Sequence, residues 1–336
     1  MLPAQPAQPG TRRLPATRLL AMLIGLGIGV VLLWLSHPAA IWEALQEVAL
    51  LPILGALLLN GPVVVLRSIR AQVVLRFLGH ASPFLHMIRV QLVGQTSSSV
   101  TPAASGDYLR AYIWRRTQGI PVRDGAAVVT FERLYSLYLL GAVAVILIAL
   151  PRFGIIGWAG AVAAFGAATV APVVAEVIAP PSIERWALSR VTRARPLSRF
   201  AEGALEMADN LRRLISSPAL LAQTSALTLA IFVISGFQVW LLLASLGDVI
   251  HITQAVAVYT VSQVGGILST LPFGLGAADA ILVTVVAGYG VTFADAATTA
   301  VLLRATSTLP LGLAGLVEYL RLEGGAGADR PASEVR

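Results

Sequence analysis

The chain contains eight long apolar runs, and this pattern constrains its fold more than any other feature. A bilayer core of about 30 Å is crossed by a helix of about 20 apolar residues. The runs cover 19–35, 48–66, 134–150, 154–179, 219–246, 255–271, 277–291 and 297–320. Charged residues make up only 12% of the chain, whereas soluble proteins carry about 25%. The sequence therefore predicts an all-α, polytopic helical bundle in a membrane, with about six to eight spans.

The first apolar run follows an Arg cluster, so a cleaved signal peptide is the alternative to a retained span for 19–35. The apolar region of a signal peptide is usually about 7–15 residues long. Because this run is longer, a retained span is favoured. We expect one transmembrane domain over 15–322, between disordered tails at 1–14 and 323–336.

The Arg residues are distributed unevenly along the chain. Twenty-one of the 24 lie in four stretches, which are 12–18, 67–123, 180–218 and 321–336. The positive-inside rule places such stretches in the cytoplasm, and this predicts a bacterial inner-membrane protein with both termini inside. The stretch 180–218 also carries apolar residues at helical spacing. It is interpreted either as an amphipathic connector in the headgroup layer or as a solvated helical connector.

Composition also excludes several kinds of catalytic and binding chemistry. The chain has no Cys, its 24 basic residues are all Arg, and its four His are scattered. Thiolate catalysis, Schiff bases and lysine-dependent phosphate loops are thereby excluded. A net charge of +7 is compatible with nucleic-acid binding, but Arg facing anionic lipid is the better interpretation in a membrane chain. We predict no metal, no cofactor, no nucleic-acid partner and no enzymatic activity.

Two stretches about half a chain apart repeat the same order of residues. Pro102 precedes Gly106 by four positions, and Pro272 precedes Gly276 by four. A Gly-to-Asp spacing of five and an Asp-to-Arg spacing of nine also recur. These further positions are Gly119, Asp124 and Arg133 in the first copy, and Gly290, Asp295 and Arg304 in the second. The spacings favour a duplication.

The topology makes one copy inverted relative to the other, with repeat one at about 48–150 and repeat two at about 219–320. Each copy contains a segment that ends close to a proline, 84–100 in the first and 255–271 in the second. The first of these is too polar for a span that faces lipid. We predict two re-entrant hairpins that enter from opposite faces; an ordinary Pro-kinked helix pair is the alternative.

At these motifs the chain resembles the transmembrane region of the lysylphosphatidylglycerol synthase (flippase-like) family. The resemblance is carried by TPAASGDYLRAY at 101–112, FERL at 131–134, LPFGLGAAD at 271–279 and Arg304. The chain departs from the family pattern at Asp107 and Asp279, where the family tends to have Glu. Some members carry a soluble aminoacyl-transfer domain after this region. The resemblance implies a lipid- or glycolipid-handling membrane protein without that domain.

Charged side chains within spans are costly to insert, so those near the two motifs are candidate site residues. We predict that three Arg bind an anionic headgroup, because guanidinium offers paired donors to a phosphodiester. Three acids would hold or switch them. The Arg are Arg110, Arg133 and Arg304, and the acids are Asp107, Asp279 and Glu132. Static ion pairing that locks the hairpins is the alternative. Arg67 and Arg70 are expected to be snorkelling anchors at a span end.

The favoured function is a flippase-like protein that binds a polar lipid or glycolipid, anionic or amino-acylated, and moves it between leaflets. The inverted repeat would supply alternating access. A small-molecule or ion-coupled secondary transporter of the same architecture is one alternative. A non-catalytic membrane scaffold for a lipid-modifying enzyme is the other. The expected partners are membrane lipids and, for the scaffold, that enzyme.

Overall fold

A computed structural model describes residues 48–152, 198–269 and 276–328, together with isolated positions between them. Several predictions lie outside these residues. They are the spans 19–35 and 154–179, the tail 1–14, the connector residues 180–197, and Pro272. Throughout the described ranges the ordered elements are helices, with no strand, so the predicted all-α membrane fold is confirmed.

Eleven helices are numbered here along the described part of the chain. They are α1 (Leu50–Leu58), α2 (Asn60–Phe77), α3 (Phe84–Val100), α4 (Leu109–Gln118), α5 (Val122–Arg152), α6 (Ser198–Ile215), α7 (Pro218–Ser245), α8 (Ile252–Leu268), α9 (Ala277–Ala287), α10 (Phe293–Leu303) and α11 (Leu309–Ala328). A 3-10 helix, Pro102–Tyr108, precedes α4, and a π-helix, Arg304–Thr308, joins α10 to α11.

Four stretches of the described chain are long and apolar enough to cross a bilayer. They are Leu50–Phe77, Val122–Ile148, Pro218–Ser245 and Phe293–Leu322. Two of the predicted spans form shorter apolar helices instead, α8 and α9. An order of one long stretch, two shorter helices and one long stretch occurs twice. The first set is α1–α2, α3, α4 and α5, and the second is α7, α8, α9 and α10–α11. This order is compatible with the predicted repeat; the repeat itself, its inverted relation and the span count stay predictions. Residues 48–152 are called the first copy below, and residues 218–322 the second copy.

The chain interrupts its helical path near both motifs. Helix α3 ends at Val100, Thr101 is extended, and the following 3-10 helix packs back against α3. A Cβ added at Gly106 would lie 2.2 Å from the carbonyl oxygen of Ser97, so this return requires glycine. The Thr101 hydroxyl accepts the Gly106 N–H at 2.6 Å. In the second copy α8 ends at Leu268, and α9 begins after Gly276 and packs beside α8.

Helices of each copy pack against helices of the other. Helix α3 of the first packs along α11 of the second, and α8 of the second packs along α5 of the first, while α7 contacts both α2 and α8. Two glycines permit close approaches, Gly315 between the copies and Gly236 within the second copy. A Cβ at Gly315 would lie 2.4 Å from the carbonyl oxygen of Leu92, and one at Gly236 would lie 2.6 Å from the Cα of Val256. The space between the copies is therefore bounded by helices of both copies.

We predict that Gly315→Ala lowers the free energy of unfolding by about 1–3 kcal/mol, because the added methyl group overpacks a backbone contact. The measurement is denaturation of the purified protein in detergent. Gly312→Ala on the same helix is the matched control, since a Cβ there meets no atom within 4 Å. Equal stability of the two variants would contradict the close packing of α3 and α11.

The described part of the connector, α6, packs against α5 and buries Leu214. Asn210 Nδ2 donates to Asp124 Oδ1 at 2.8 Å, and His80 Nε2 lies 2.7 Å from Asp124 Oδ2. A carboxylate at the start of α5 thus joins three elements at one end of the bundle. At the other end of the sequence α11 continues to Ala328, so residues 323–328, expected to belong to a disordered tail, are helical.

Candidate functional site: a cation-lined cavity between the two copies

A cavity of about 300 Å³ lies where the two copies meet. Helices α2, α3, α5 and α7–α11 all contribute to its wall, together with the π-helix. Hydroxyl and amide side chains make up much of the lining. Those on the short helices α3 and α8 are Gln95, Thr96, Ser98, Ser99, Ser262 and Gln263. The polar character of the α3 segment, which argued against a lipid-facing span, is explained by this position.

Among the described residues, the charged groups of the cavity wall are three guanidinium groups and one carboxylate. They belong to Arg67, Arg133, Arg304 and Asp279. Their formal sum is a net charge of +2. Low-dielectric surroundings strengthen such a field relative to water, so the cavity favours anions.

Arg304 and Asp279 form a two-point ion pair across the second copy. Arg304 Nε donates to Asp279 Oδ1 at 3.1 Å, and Nη2 donates to Oδ2 at 2.9 Å. Both side chains are partly exposed, at 24% and 22%. Asp279 Oδ2 also accepts the Gly276 N–H at 3.1 Å, which joins the pair to the start of α9. This pair is an example of the static ion pairing that was the alternative to a headgroup site.

Arg67 is a cavity residue, and the expectation that it is a snorkelling anchor is wrong. Its Nη1 donates to Oε1 of Gln95 on α3 at 2.9 Å. Among the residues that the structure describes, no carboxylate forms a salt bridge with it. The hydrogen-bond partner of the Arg67 guanidinium in the cavity is therefore a neutral amide. The position of Arg67 at the end of an apolar run does not show whether its side chain reaches water or points into the bundle.

Arg133 lies on α5 and completes the set of cavity cations. Its guanidinium carbon lies 6.0 Å from the centre of the Tyr108 ring, at the outer limit of a cation–π contact. Tyr108 belongs to the 3-10 helix, so this contact connects the cavity wall to the break in the first copy. Arg133 and Arg304 occupy matching positions in the two copies, and both reach the cavity.

The other predicted site residues form a separate, buried ion network. Glu132 Oε2 lies 2.8 Å from Arg110 Nη2, and its Oε1 accepts from Arg70 Nε at 3.1 Å. Asp107 Oδ1 lies 3.4 Å from Arg110 Nη1. The side chains of Arg110 and Glu132 are each only 2% exposed, and the Arg110 guanidinium stacks over Trp114 at 5.1 Å. None of these groups is part of the cavity wall.

Arg70 is also buried rather than snorkelling. In addition to Glu132, it donates to the hydroxyls of Ser136 at 2.8 Å and Thr228 at 2.9 Å. The network therefore connects α2, α5 and α7 through charged hydrogen bonds and joins α4 to them through the Arg110–Glu132 ion pair. Of the six predicted site residues, Arg133, Arg304 and Asp279 meet at the cavity, whereas Arg110, Asp107 and Glu132 meet inside the first copy.

Sequence reasoning missed a second polar cluster, which supports the π-helix. Asn60 Nδ2 donates to the Thr306 carbonyl oxygen at 2.6 Å, and Gln238 Nε2 donates to Asn60 Oδ1 at 3.1 Å. A π-helix leaves backbone groups that need such partners. Polar residues within long apolar runs were the available signal. The cluster holds Arg304, the first residue of the π-helix, at its place on the cavity wall.

The fold and this site define the class: a polytopic α-helical membrane protein with an internal, cation-lined cavity. Within the described ranges, no group of three His, Cys, Asp or Glu side chains is placed to hold a metal ion. Residues 22–315 match the family described as the lysylphosphatidylglycerol synthase TM region. This covers most of the chain, which therefore belongs to that family, as the resemblance predicted.

Two relatives match this chain over regions of very different length. A UPF0104 membrane protein of Methanothermobacter thermautotrophicus is 24% identical over 285 residues, which cover 78% of this chain and 83% of the relative. Glycosyltransferase AglD of Haloferax volcanii is 33% identical over 90 residues, which cover 26% of this chain and 14% of that enzyme. The match to the glycosyltransferase thus covers a small part of either chain, whereas the match to the membrane protein covers most of both. The matches establish a membrane protein connected with lipid-related function.

Proposed function

We propose that this protein binds the anionic headgroup of a polar lipid in the cavity and moves the lipid between leaflets, without covalent chemistry. The observation that carries the proposal is the excess of cations in the wall, three guanidinium groups against one carboxylate. In this proposal the protein lies in a bacterial inner membrane with both termini in the cytoplasm. Its partners are membrane lipids.

The chemistry of the wall suits a phosphodiester. A guanidinium group binds phosphate through two parallel hydrogen bonds, and such charge-assisted bonds are about twice as strong as neutral ones. Amide and hydroxyl groups beside the Arg can bind the polar remainder of a headgroup. A volume of about 300 Å³ is at the lower end of the range for ligand pockets. The cavity therefore accommodates a headgroup, while the acyl chains stay in the bilayer.

The position of the cavity supports translocation. It lies between two copies of one element order, beside the breaks near Gly106 and Gly276. Secondary transporters with inverted repeats bind substrate between the repeats and open alternately to each side. The reciprocal packing of α3 on α11 and of α8 on α5 would transmit a rocking of one copy to the other.

Reconstituted vesicles test the proposal. Fluorescent phosphatidylglycerol in both leaflets is exposed to a membrane-impermeant reductant, which bleaches only the outer leaflet of protein-free vesicles. We expect vesicles with the protein to lose the protected fraction, and zwitterionic phosphatidylcholine to stay protected. Unchanged protection of phosphatidylglycerol and of other anionic phospholipids would contradict the proposal.

Transport of a small soluble anion is the second candidate function. The same hydroxyl and amide groups, Ser98, Ser99 and Gln263 among them, and the small volume favour it. A thermal-shift measurement separates the two candidates. Stabilisation by soluble phosphate or carboxylates, but not by short-chain phosphatidylglycerol, would favour the soluble anion.

A further inference from the structure

Asp279 is the single acid that the described residues contribute to the cavity wall. We propose that Asp279 is a built-in competitor for the ligand: its carboxylate occupies the Arg304 guanidinium, a phosphate displaces it, and its return to Arg304 promotes release. This inference rests on the proposed function and names the residue that sets how tightly the anion is held.

The geometry of the pair is that of a bound anion. Both carboxylate oxygens of Asp279 accept from Arg304, at 3.1 and 2.9 Å. A phosphate group uses the same two donors of a guanidinium in the same parallel arrangement. The carboxylate and a phosphate therefore exclude each other at the Nε–Nη2 edge of Arg304. Because both partners are partly exposed at the cavity, an entering anion can reach the pair.

The pair is also coupled to the break in the second copy. Asp279 Oδ2, which accepts from Arg304, also accepts the Gly276 N–H at the start of α9. Gly276 has a φ of +81°, a conformation that few residues other than glycine adopt. Displacement of Asp279 from Arg304 would therefore change the contacts of α9 as well. Ligand binding and the position of this helix are connected through one carboxylate.

The first copy contains no equivalent competitor among its described residues. Asp107 and Glu132 are bonded to Arg110 and Arg70, within a network of almost fully buried groups. Arg67 binds the neutral Gln95 instead of an acid. A ligand anion can thus bind Arg67 without displacing a carboxylate, but must displace one to bind the Nε–Nη2 edge of Arg304. The asymmetry assigns the competing role to Asp279 alone within the described cavity wall.

The proposal predicts opposite effects on binding and on transport. Asp279→Asn removes the competing charge and keeps an oxygen that can accept the Gly276 N–H. We expect about fivefold tighter binding of short-chain phosphatidylglycerol to the purified protein, as for loss of a partly exposed ion pair. Translocation of fluorescent phosphatidylglycerol at saturating lipid becomes slower, because release is no longer assisted.

The matched control is Asp295→Asn, which removes the same charge from the first turn of α10, outside the cavity wall. It leaves both quantities at the wild-type value. Asp279→Ser serves as a second neutral variant if the asparagine variant does not fold. Calorimetric titration gives the affinity and the vesicle assay gives the rate.

Unchanged or weaker binding in both neutral Asp279 variants, with wild-type protein binding the probe, would overturn the competitor role. Unchanged translocation with tighter binding would overturn the assisted release. If the wild-type protein itself binds and moves no anionic lipid, the failure lies in the proposed function rather than in the role of Asp279.

Discussion

Replacing Glu132 with glutamine is expected to lower the free energy of unfolding by about 3–5 kcal/mol, the range for breaking a buried ion pair. Glu132 is the acid shared by Arg70 and Arg110, and its side chain is only 2% exposed. The neutral variant leaves two guanidinium groups in a low-dielectric interior with less compensating charge. The loss is large because the remaining charges cannot reach water without separating α2, α4 and α5.

Denaturation of the purified protein by a mixture of mild and ionic detergent measures this effect. Glu206→Gln is the control, because Glu206 pairs with Arg123 at the surface and is 49% exposed. A surface pair of this kind contributes about 0–1 kcal/mol. Equal stability of the Glu132 and Glu206 variants would show that the buried network is not what holds the first copy together.

The second large effect is expected for Arg67→Gln, which should slow translocation of phosphatidylglycerol about tenfold or more. A hydrogen bond to a charged group is worth about 1.5–3 kcal/mol. In the described cavity wall, Arg67 has Gln95 as its hydrogen-bond partner and forms no salt bridge with an acid. A ligand anion therefore gains most at this position, because no internal carboxylate has to be displaced there.

Arg76→Gln on the same helix is the matched control. Arg76 is exposed near the end of α2 and lies outside the cavity wall. Both variants lose one positive charge, so a difference between their translocation rates reports the cavity rather than the overall charge. Equal rates in the two variants and the wild type would exclude Arg67 from the binding site.

The fold class could be predicted from the sequence because its signals are local. Long apolar runs define helices, and the Pro102 and Gly276 motifs marked the regions where helices α3 and α8 end and the chain turns. The pairing of Arg304 with Asp279 could also be inferred from the sequence as the ion-pair alternative, since a charge within an apolar run needs an opposite charge nearby.

The sequence did not predict that the candidate residues separate into a cavity group and a buried ion network. Glu132 and Arg133 are adjacent in the chain and were assigned to one site, but neighbouring residues on a helix point in different directions. Glu132 is directed into the first copy, and Arg133 reaches the cavity. Arg67 was missed because its role depends on α3, which brings Gln95 to its side. That contact is tertiary and has no signature in the sequence.

A thiol probe placed in the cavity tests directly whether the cavity is positive and holds an anionic headgroup. The chain has no Cys, so Ser99→Cys places a single thiol in the cavity wall. Its reaction rates with a sulfonate and with a trimethylammonium methanethiosulfonate, each divided by the rate for a free thiol, report the local potential. The account predicts faster reaction with the anionic reagent and protection by short-chain phosphatidylglycerol. Faster reaction with the cationic reagent, or equal labelling with and without that lipid, would contradict it.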